Sequence, residues 1–282
     1  MLYIALPNKG SLSEDAVQLV KEAGYNCRRY GRELVVRDSD NDIEFIFLRP
    51  RDIAVYVSNG VLDLGITGRD LALDSDVEVR ELLSLGFGKS TFCYALPSDQ
   101  NKTPDDFNGL RIATSYVSLT KADLAKRGVK AKLVKLDGAV EISIKLGVAD
   151  AIADVVQTGR TLVEAGLKIT GEPILKSEAV LVSGKPEIEN DERVRRFIER
   201  LKGIILARAY IMVEYDVEEK NLQNACRLTP GIESPTVAPL SKKGWVAVKA
   251  MAKRKEVNLI MDRLTDIGAR GIIITDIRTC RI

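Results

Sequence analysis

The segment AIADVVQTGRTL (residues 151–162) carries the strongest chemical signal in the chain. An apolar run ends in Asp154, and the loop Val155-Val156-Gln157-Thr158-Gly159-Arg160 leads into a helix that starts near Thr161. Glycine at 159 permits a tight turn. Amides at the start of the helix then point outward and favour an anion. Thr158 and Thr161 add hydroxyls, Arg160 adds a charged donor, and Asp154 can accept hydrogen bonds from sugar hydroxyls. The spacing D-x-x-x-T-G-x-T suits a 5-phosphoribosyl group, with the acid on the sugar and the loop on the 5′-phosphate. An ordinary strand–turn–helix with a threonine cap has the same pattern.

Other junctions carry weaker signals. PNKGSLSE (7–14) places Lys9, Gly10 and Ser11 at a helix start, where Lys9 suits a phosphate or pyrophosphate. Without a ligand it reads as a capped helix with an exposed lysine, since Ser11 and Glu14 have capping-box spacing. FLRPRD (47–52) sets Arg49 between an apolar strand and Pro50, apt for an oxyanion or for an ion pair with Asp52. GITGRD (65–70) is a glycine-flanked turn at a strand end, with Gly68 open to close backbone approach by a planar ligand. LDGAVEISIKLGVADAI (136–152) supplies Asp137 and Glu141, and Glu141 falls in the first turn of an expected helix. The fingerprint GxGxxG is absent, as are GxxxxGKS and GxxxxGKT, which argues against a Rossmann dehydrogenase and a P-loop NTPase.

Composition narrows the chemistry further. The 282 residues include no histidine. That removes Ser-His-Asp and Cys-His nucleophile systems, histidine-ligated zinc and imidazole acid–base catalysis. Lys plus Arg is 42 against 40 Asp plus Glu, a balance that gives no nucleic-acid footprint. The four cysteines are widely spaced without a CxxC pair, as expected of reduced thiols. The opening LYIALP has no basic leader, and no apolar run approaches the ~20 residues of a membrane span. A cytoplasmic protein is expected, with no membrane partner.

The elements that must position these residues alternate between strand and helix. LYIAL, IEFIFL and LDLGIT alternate with helical stretches in the first 70 residues, an α/β pattern with a largely parallel sheet. TFCYALP (91–97) opens a second α/β unit, and SEAVLVSG (177–184) reads as a strand returning to the first sheet. The expected architecture is a two-lobed core like that of periplasmic binding proteins: lobe I from 1–90 and 178–207, lobe II from 91–177. A helix is expected between 138 and 146. Residues 208–282 read βαββαβ, the ferredoxin-like order, as a separate domain.

PNKGSLSE, FLRPRDIAVYV, DLGITGRD, DGAVEISIKLGVADAIADVVQTGRTL and TPGIESPTVAPL together resemble the ATP phosphoribosyltransferase family in its long form, which carries a C-terminal regulatory domain. The resemblance runs nearly end to end. It implies a pentosyltransferase that joins ATP and phosphoribosyl pyrophosphate into N1-(5-phosphoribosyl)-ATP and pyrophosphate, the first step of histidine biosynthesis. It also implies Mg²⁺ dependence, dimers and hexamers, feedback inhibition by histidine and no separate regulatory subunit. Asp154, Thr158, Gly159, Arg160 and Thr161 would hold the phosphoribosyl group. Lys9 and Arg49 would face the pyrophosphate or the triphosphate, Gly68 would line the ATP side, and Glu141 would touch ribose or Mg²⁺. The histidine pocket would map to Asp216, Ile232, Ser234, Thr236 and Gly271.

The implied chemistry needs no histidine. The adenine N1 lone pair is a neutral nucleophile, and the work lies in positioning two anions and stabilising departing pyrophosphate. Two rival readings remain at this point: a non-catalytic two-lobed solute-binding protein, and a phosphoribosyltransferase with another base as acceptor.

Overall fold

The computed structural model describes residues 1–31 and 33–281; the side chain of Ser11, and with it the proposed capping box, lies outside the described groups. Two compact units divide the chain: Met1–Lys21 with Tyr25–Val194, and Glu22–Gly24 with Arg195–Ile282.

The first unit begins with β1 (Leu2–Pro7), α1 (Ser11–Glu22), β2 (Val35–Asp38), β3 (Ile43–Leu48), α2 (Pro50–Ser58), β4 (Leu64–Gly68), α3 (Arg69–Asp74) and β5 (Arg80–Ser84). β1 is a nearly unbroken apolar run because both of its faces are covered. Ala16, Leu19 and Val20 of α1 are buried, as their helical spacing predicts. The chain then builds β6 (Ser90–Pro97), β7 (Arg111–Thr114), α4 (Val117–Lys126), β8 (Lys132–Lys135), α5 (Ile142–Lys145), β9 (Ala151–Val156), α6 (Arg160–Glu164) and β10 (Leu167–Ser177). It returns through β11 (Ala179–Ser183) and enters α7 (Glu192–Ala209).

Two sheets result. One has the order β2-β3-β1-β4-β11-β5 and the other β10-β6-β9-β7-β8. Two crossing segments join them, one between β5 and β6 and one between β10 and β11, which is the two-lobed architecture of periplasmic binding proteins. Phe92, Tyr94, Phe107 and Ile112 fill one face of the second sheet, and Ala95, Ile152, Leu162 and Leu167 fill the other.

The sheets are mixed rather than largely parallel. β1 pairs in parallel with β3 and β4, but β11 runs antiparallel to β4 and β5. For β11 the cause is the return crossing. Only Glu178 separates β10 from β11, so the chain enters the first sheet without a helical crossover to reverse it. The helix expected over 138–146 shrinks to Ile142–Lys145, because Gly138 (φ 159°) and Ala139 (φ 48°) leave the helical region. Glu141 is therefore its N-cap residue, not a first-turn acid.

The second unit holds β12 (Tyr210–Glu218), α8 (Leu222–Leu228), β13 (Thr236–Pro239), β14 (Trp245–Lys253), α9 (Val257–Asp266) and β15 (Arg270–Asp276). Its antiparallel sheet has the order β13-β14-β12-β15, the ferredoxin-like arrangement. Ile211, Val213, Tyr215 and Val217 alternate into a core with Ala225, Ile260 and Leu264.

Candidate functional site

Asp154 stands on β9, two residues before the strand ends. One carboxylate oxygen accepts the Val155 N–H at 2.8 Å. Burial raises its pKa, and the nearby charges of Glu141 and Asp70 push the same way. The loop then turns at Gly159, which caps α6 in the left-handed region at φ 74°. A side chain there would strain the turn. Thr158 and Arg160 are exposed, and Arg160 forms an exposed i,i+4 pair with Glu164 at 2.8 Å. Both lie around this turn, while Leu162 anchors α6 in the core. That suits a doubly charged phosphate.

Glu141 approaches Asp154 from the turn before α5, on the side of the second sheet that carries α5 and α6. We expect Glu141→Gln to lower the Asp154 pKa by removing a like charge. If the ionised carboxylate is the active form, the acid limb of the kcat/KM profile should move to lower pH. An unchanged limb would separate the two groups.

Asp70, in α3, is buried beside this pair. Its Oδ1 accepts the Ser177 hydroxyl at 2.8 Å, while its own N–H donates to Ser177 Oγ at 3.0 Å. The Tyr116 hydroxyl lies near Asp70, and burial first, then this carboxylate, raises the tyrosine pKa. Gly68 owes its identity to the same acid: a Cβ there would meet Asp70 Oδ1 at 2.4 Å. The close approach at Gly68 is thus made by the protein's own carboxylate.

Asp74, one turn further on, joins the two lobes. Its Oδ2 accepts Arg51 Nη1 at 2.6 Å, and its Oδ1 accepts the Leu119 N–H at 3.1 Å. Leu119 lies in the first turn of α4, which has no side-chain cap of its own. The Arg51 guanidinium also lies 4.9 Å from the Tyr116 ring centroid.

Lys9 and Arg49 follow the ends of β1 and β3, which stay paired through Asn8 N–H to the Leu48 carbonyl at 2.8 Å. Both side chains are exposed, and neither has an ion-pair partner among the described residues. Arg29 joins them: it covers the Phe47 ring at 4.4 Å and donates to the Asn8 carbonyl at 3.3 Å. Three cations at one sheet end suit a polyphosphate.

In the second unit, Gly271 has φ 58° beside Asp216, whose Oδ2 would lie 3.8 Å from a Cβ there. A register shift between β12 and β15 makes the room. Thr236 shares the Asp216 face but lies two strands away, across β14. Ile232 and Ser234 are exposed in the loop before β13.

Asp70, Tyr116, Asp74, Arg51 and Arg29 were not singled out from the sequence. Asp70 and Arg51 had a signal, since they lie in the GITGRD and FLRPRD segments.

No three carboxylates or thiols lie close enough to form a protein-only metal cage among the described residues. The mutual repulsion around Asp154 nonetheless suits a divalent cation that takes most of its ligands from substrate oxygens. None of the helices among the described residues is long and apolar enough to cross a membrane. All four cysteines are free, and burial pushes the Cys27 thiol up to about 11.

Residues 49–203 match the sequence profile described as HisG, ATP phosphoribosyltransferase, and residues 207–279 match that of the HisG C-terminal domain. An ATP phosphoribosyltransferase of Salinibacter ruber is 61% identical over 283 residues, covering 100% of both chains. One from Pseudarthrobacter chlorophenolicus is 56% identical, again over the whole of both. Among solved structures, the ATP phosphoribosyl transferase (HisG:HisZ) complex from Thermotoga maritima includes a chain of 28% identity and TM-score 0.64, aligned over 72% of this chain and 97% of that one.

Proposed function

Since this chain belongs to the ATP phosphoribosyltransferase family, a glycosyltransferase family of histidine biosynthesis, we propose that it transfers the 5-phosphoribosyl group of phosphoribosyl pyrophosphate to N1 of ATP. The observation that carries the reading is the succession of Asp154 at the end of β9, the left-handed Gly159 and the exposed Thr158 and Arg160 at the start of α6.

Each group has a defined task. Thr158, Arg160, Thr161 and the α6 amides hold the 5′-phosphate. Asp154 accepts hydrogen bonds from the ribose hydroxyls and favours positive charge developing at C1. Lys9, Arg29 and Arg49 neutralise the leaving pyrophosphate. Glu141 touches the ribose or a hydrated ion beside it, and Gly68 lets Asp70 sit close behind the ATP side. The nucleophile is a neutral ring nitrogen, so no base is needed to form it. Mg²⁺, when bound on substrate oxygens with Asp154 and Glu141 nearby, supplies further charge neutralisation.

The test is direct. Mixing the protein with ATP, Mg²⁺ and phosphoribosyl pyrophosphate should release pyrophosphate and yield the ultraviolet absorbance of an N1-substituted adenine. No release, with tight binding of another small molecule, would favour the solute-binding reading. Release without that absorbance would mean a different acceptor base.

Residues 1–207 would form the catalytic lobes and 208–282 a domain that binds histidine as feedback inhibitor. A carboxylate at Asp216 suits the effector's ammonium or imidazolium, and the positive φ at Gly271 keeps the space beside it clear. Histidine should inhibit the wild type. Asp216→Ala should raise the inhibitory concentration about tenfold or more, the worth of one charged hydrogen bond. Unaltered inhibition would place the effector elsewhere. We read the chain as a cytoplasmic homo-oligomer, dimer or hexamer, whose C-terminal domain makes a separate regulatory chain, such as the HisZ of the Thermotoga complex, unnecessary.

A further inference from the structure

Gly203 sits inside α7, a helix of 18 residues. Glycine is a poor residue for a helix interior, so a close approach is expected where one stands. A Cβ at 203 would meet the Cys280 carbonyl oxygen at 2.5 Å and Thr279 Oγ1 at 3.3 Å. The Cys280 N–H donates to the Gly203 carbonyl at 3.2 Å. Main chain therefore lies directly on main chain.

The segment that makes this contact, residues 277–281, is a strap that follows β15. β15 begins at Arg270 and Gly271, beside Asp216. Its far end is tied to α7 a second time. Arg254 donates to Asp276 Oδ1 at 2.7 Å, to the Arg208 carbonyl at 3.0 Å and to the Tyr210 carbonyl at 3.3 Å. Arg254 thus joins the end of β15 to the C-terminal carbonyls of α7.

This double attachment has a mechanical consequence. α7 runs into β12 without a loop. With that joint alone, the sheet could pivot at Ala209 and leave the helix unmoved. The strap holds α7 at a second point, about 9 Å back along the helix axis. A displacement of β15 then becomes a torque on α7. Rotamer changes cannot absorb it, because no side chain of residue 203 stands between the two backbones.

Room for a second position of the strap is present. A cavity of about 340 Å³ is lined by strap residues 278–281, by Arg200 of α7 and by Glu22–Gly24 at the end of α1. Arg208 of α7 pairs with Glu22 at 2.8 Å at the same helix end. α1 is a single helix from Ser11 to Glu22, and Lys9 of the cationic cluster lies just before its first turn.

Resting on the reading of residues 208–282 as a histidine-binding domain, we propose that residues 277–281 carry the inhibitory signal from the effector pocket to α7 and to the end of α1. Histidine beside Asp216 and Gly271 displaces β15, the strap shifts against the cavity, and α7 and α1 follow. An effector acts on a distant site only where two states hold it with different affinity. The two positions of the strap distinguish those states.

The test is a cycle of Gly203→Ala and deletion of residues 278–282, made singly and together. Alanine at 203 evicts the strap, and the deletion removes it with α7 unaltered. Without histidine, both single variants should keep the kcat and KM values of the wild type. Calorimetry should show histidine bound with a Kd no weaker than that of the wild type. Inhibition at saturating histidine should weaken about fivefold or more, the low end of ordinary allosteric coupling. The two changes should not add. Once the strap is gone, Gly203→Ala should leave inhibition as it is and raise the melting temperature, since alanine is the better helix former. It cannot make that gain in the full chain, where its Cβ breaks the contact. Full inhibition in either folded single variant would overturn the proposal. So would loss of histidine binding in step with inhibition, which would make the strap part of the pocket. A wild type that neither binds histidine nor is inhibited by it would overturn the effector reading itself, and the proposal with it.

Discussion

Asp154→Ala should reduce kcat/KM for phosphoribosyl pyrophosphate by about 10²–10³-fold, with the fold intact. The carboxylate sits at the strand end beside the phosphate loop, with one oxygen committed to the Val155 N–H. The other is left for the sugar. Losing two charge-assisted bonds to hydroxyls costs about 3–4 kcal/mol of transition-state stabilisation, which gives that factor. Stability should respond in the opposite direction. The folded-state pKa of Asp154 is raised, so the native protein binds more protons than the unfolded chain between the ordinary carboxylate range and that raised value. Stability falls as pH rises through this window, and above it the ionised group remains a burden to the fold. Removing the carboxylate relieves the burden, so the melting temperature at pH 7 should hold or rise. Asp154→Asn keeps the shape without the charge and should recover only part of the rate. Near-wild-type turnover in Asp154→Ala would remove the residue from the reaction, and a lower melting temperature would make it a structural acid.

Asp74→Ala should be the most damaging change away from the substrates. Asp74 is 8% exposed, and its two oxygens tie Arg51 of one lobe and the Leu119 N–H of the other. Arg51 is 44% exposed on its side chain, so the ion pair alone contributes little. The larger cost is the α4 N–H left without its partner. Together they amount to about 2–3 kcal/mol, visible as earlier thermal unfolding. Activity should fall through kcat rather than KM. The phosphoribosyl loop lies wholly within the second sheet and keeps its local geometry, whereas attack needs both lobes at a fixed angle. Asp74→Asn retains an acceptor for Leu119 and should restore most of both losses. A parallel rise in KM for phosphoribosyl pyrophosphate would show that the damage reaches the loop itself.

The residues behind these two predictions differed in how far the sequence announced them. Asp154 and the loop through Thr161 were legible because an anion cradle is local. A strand end, a glycine in the left-handed region and a helix start occupy consecutive positions, and each carries a residue preference. Long elements were legible for the same reason, as with α1 and the alternation of β12. Short strands were harder. β2 (VVRD) and β5 (RELLS) are sheet edges, where one flank meets no partner and the buried pattern weakens. β10 carries a register shift between Thr170 and Leu175 that breaks its alternation.

Read alone, the sequence determined that this chain has two α/β lobes and a βαββαβ module, excluded imidazole chemistry, and marked the Asp154 strand end with its glycine turn as the candidate anion cradle. Only the tertiary structure decided what meets that cradle. Asp70 and Ser177 are 107 residues apart, and Asp74 and Leu119 are 45 apart. Lys176 faces Thr91 through strand register. Such pairs are set by strand order and by two chain crossings. No local propensity encodes them, since register and topology emerge from burying all the apolar faces at once.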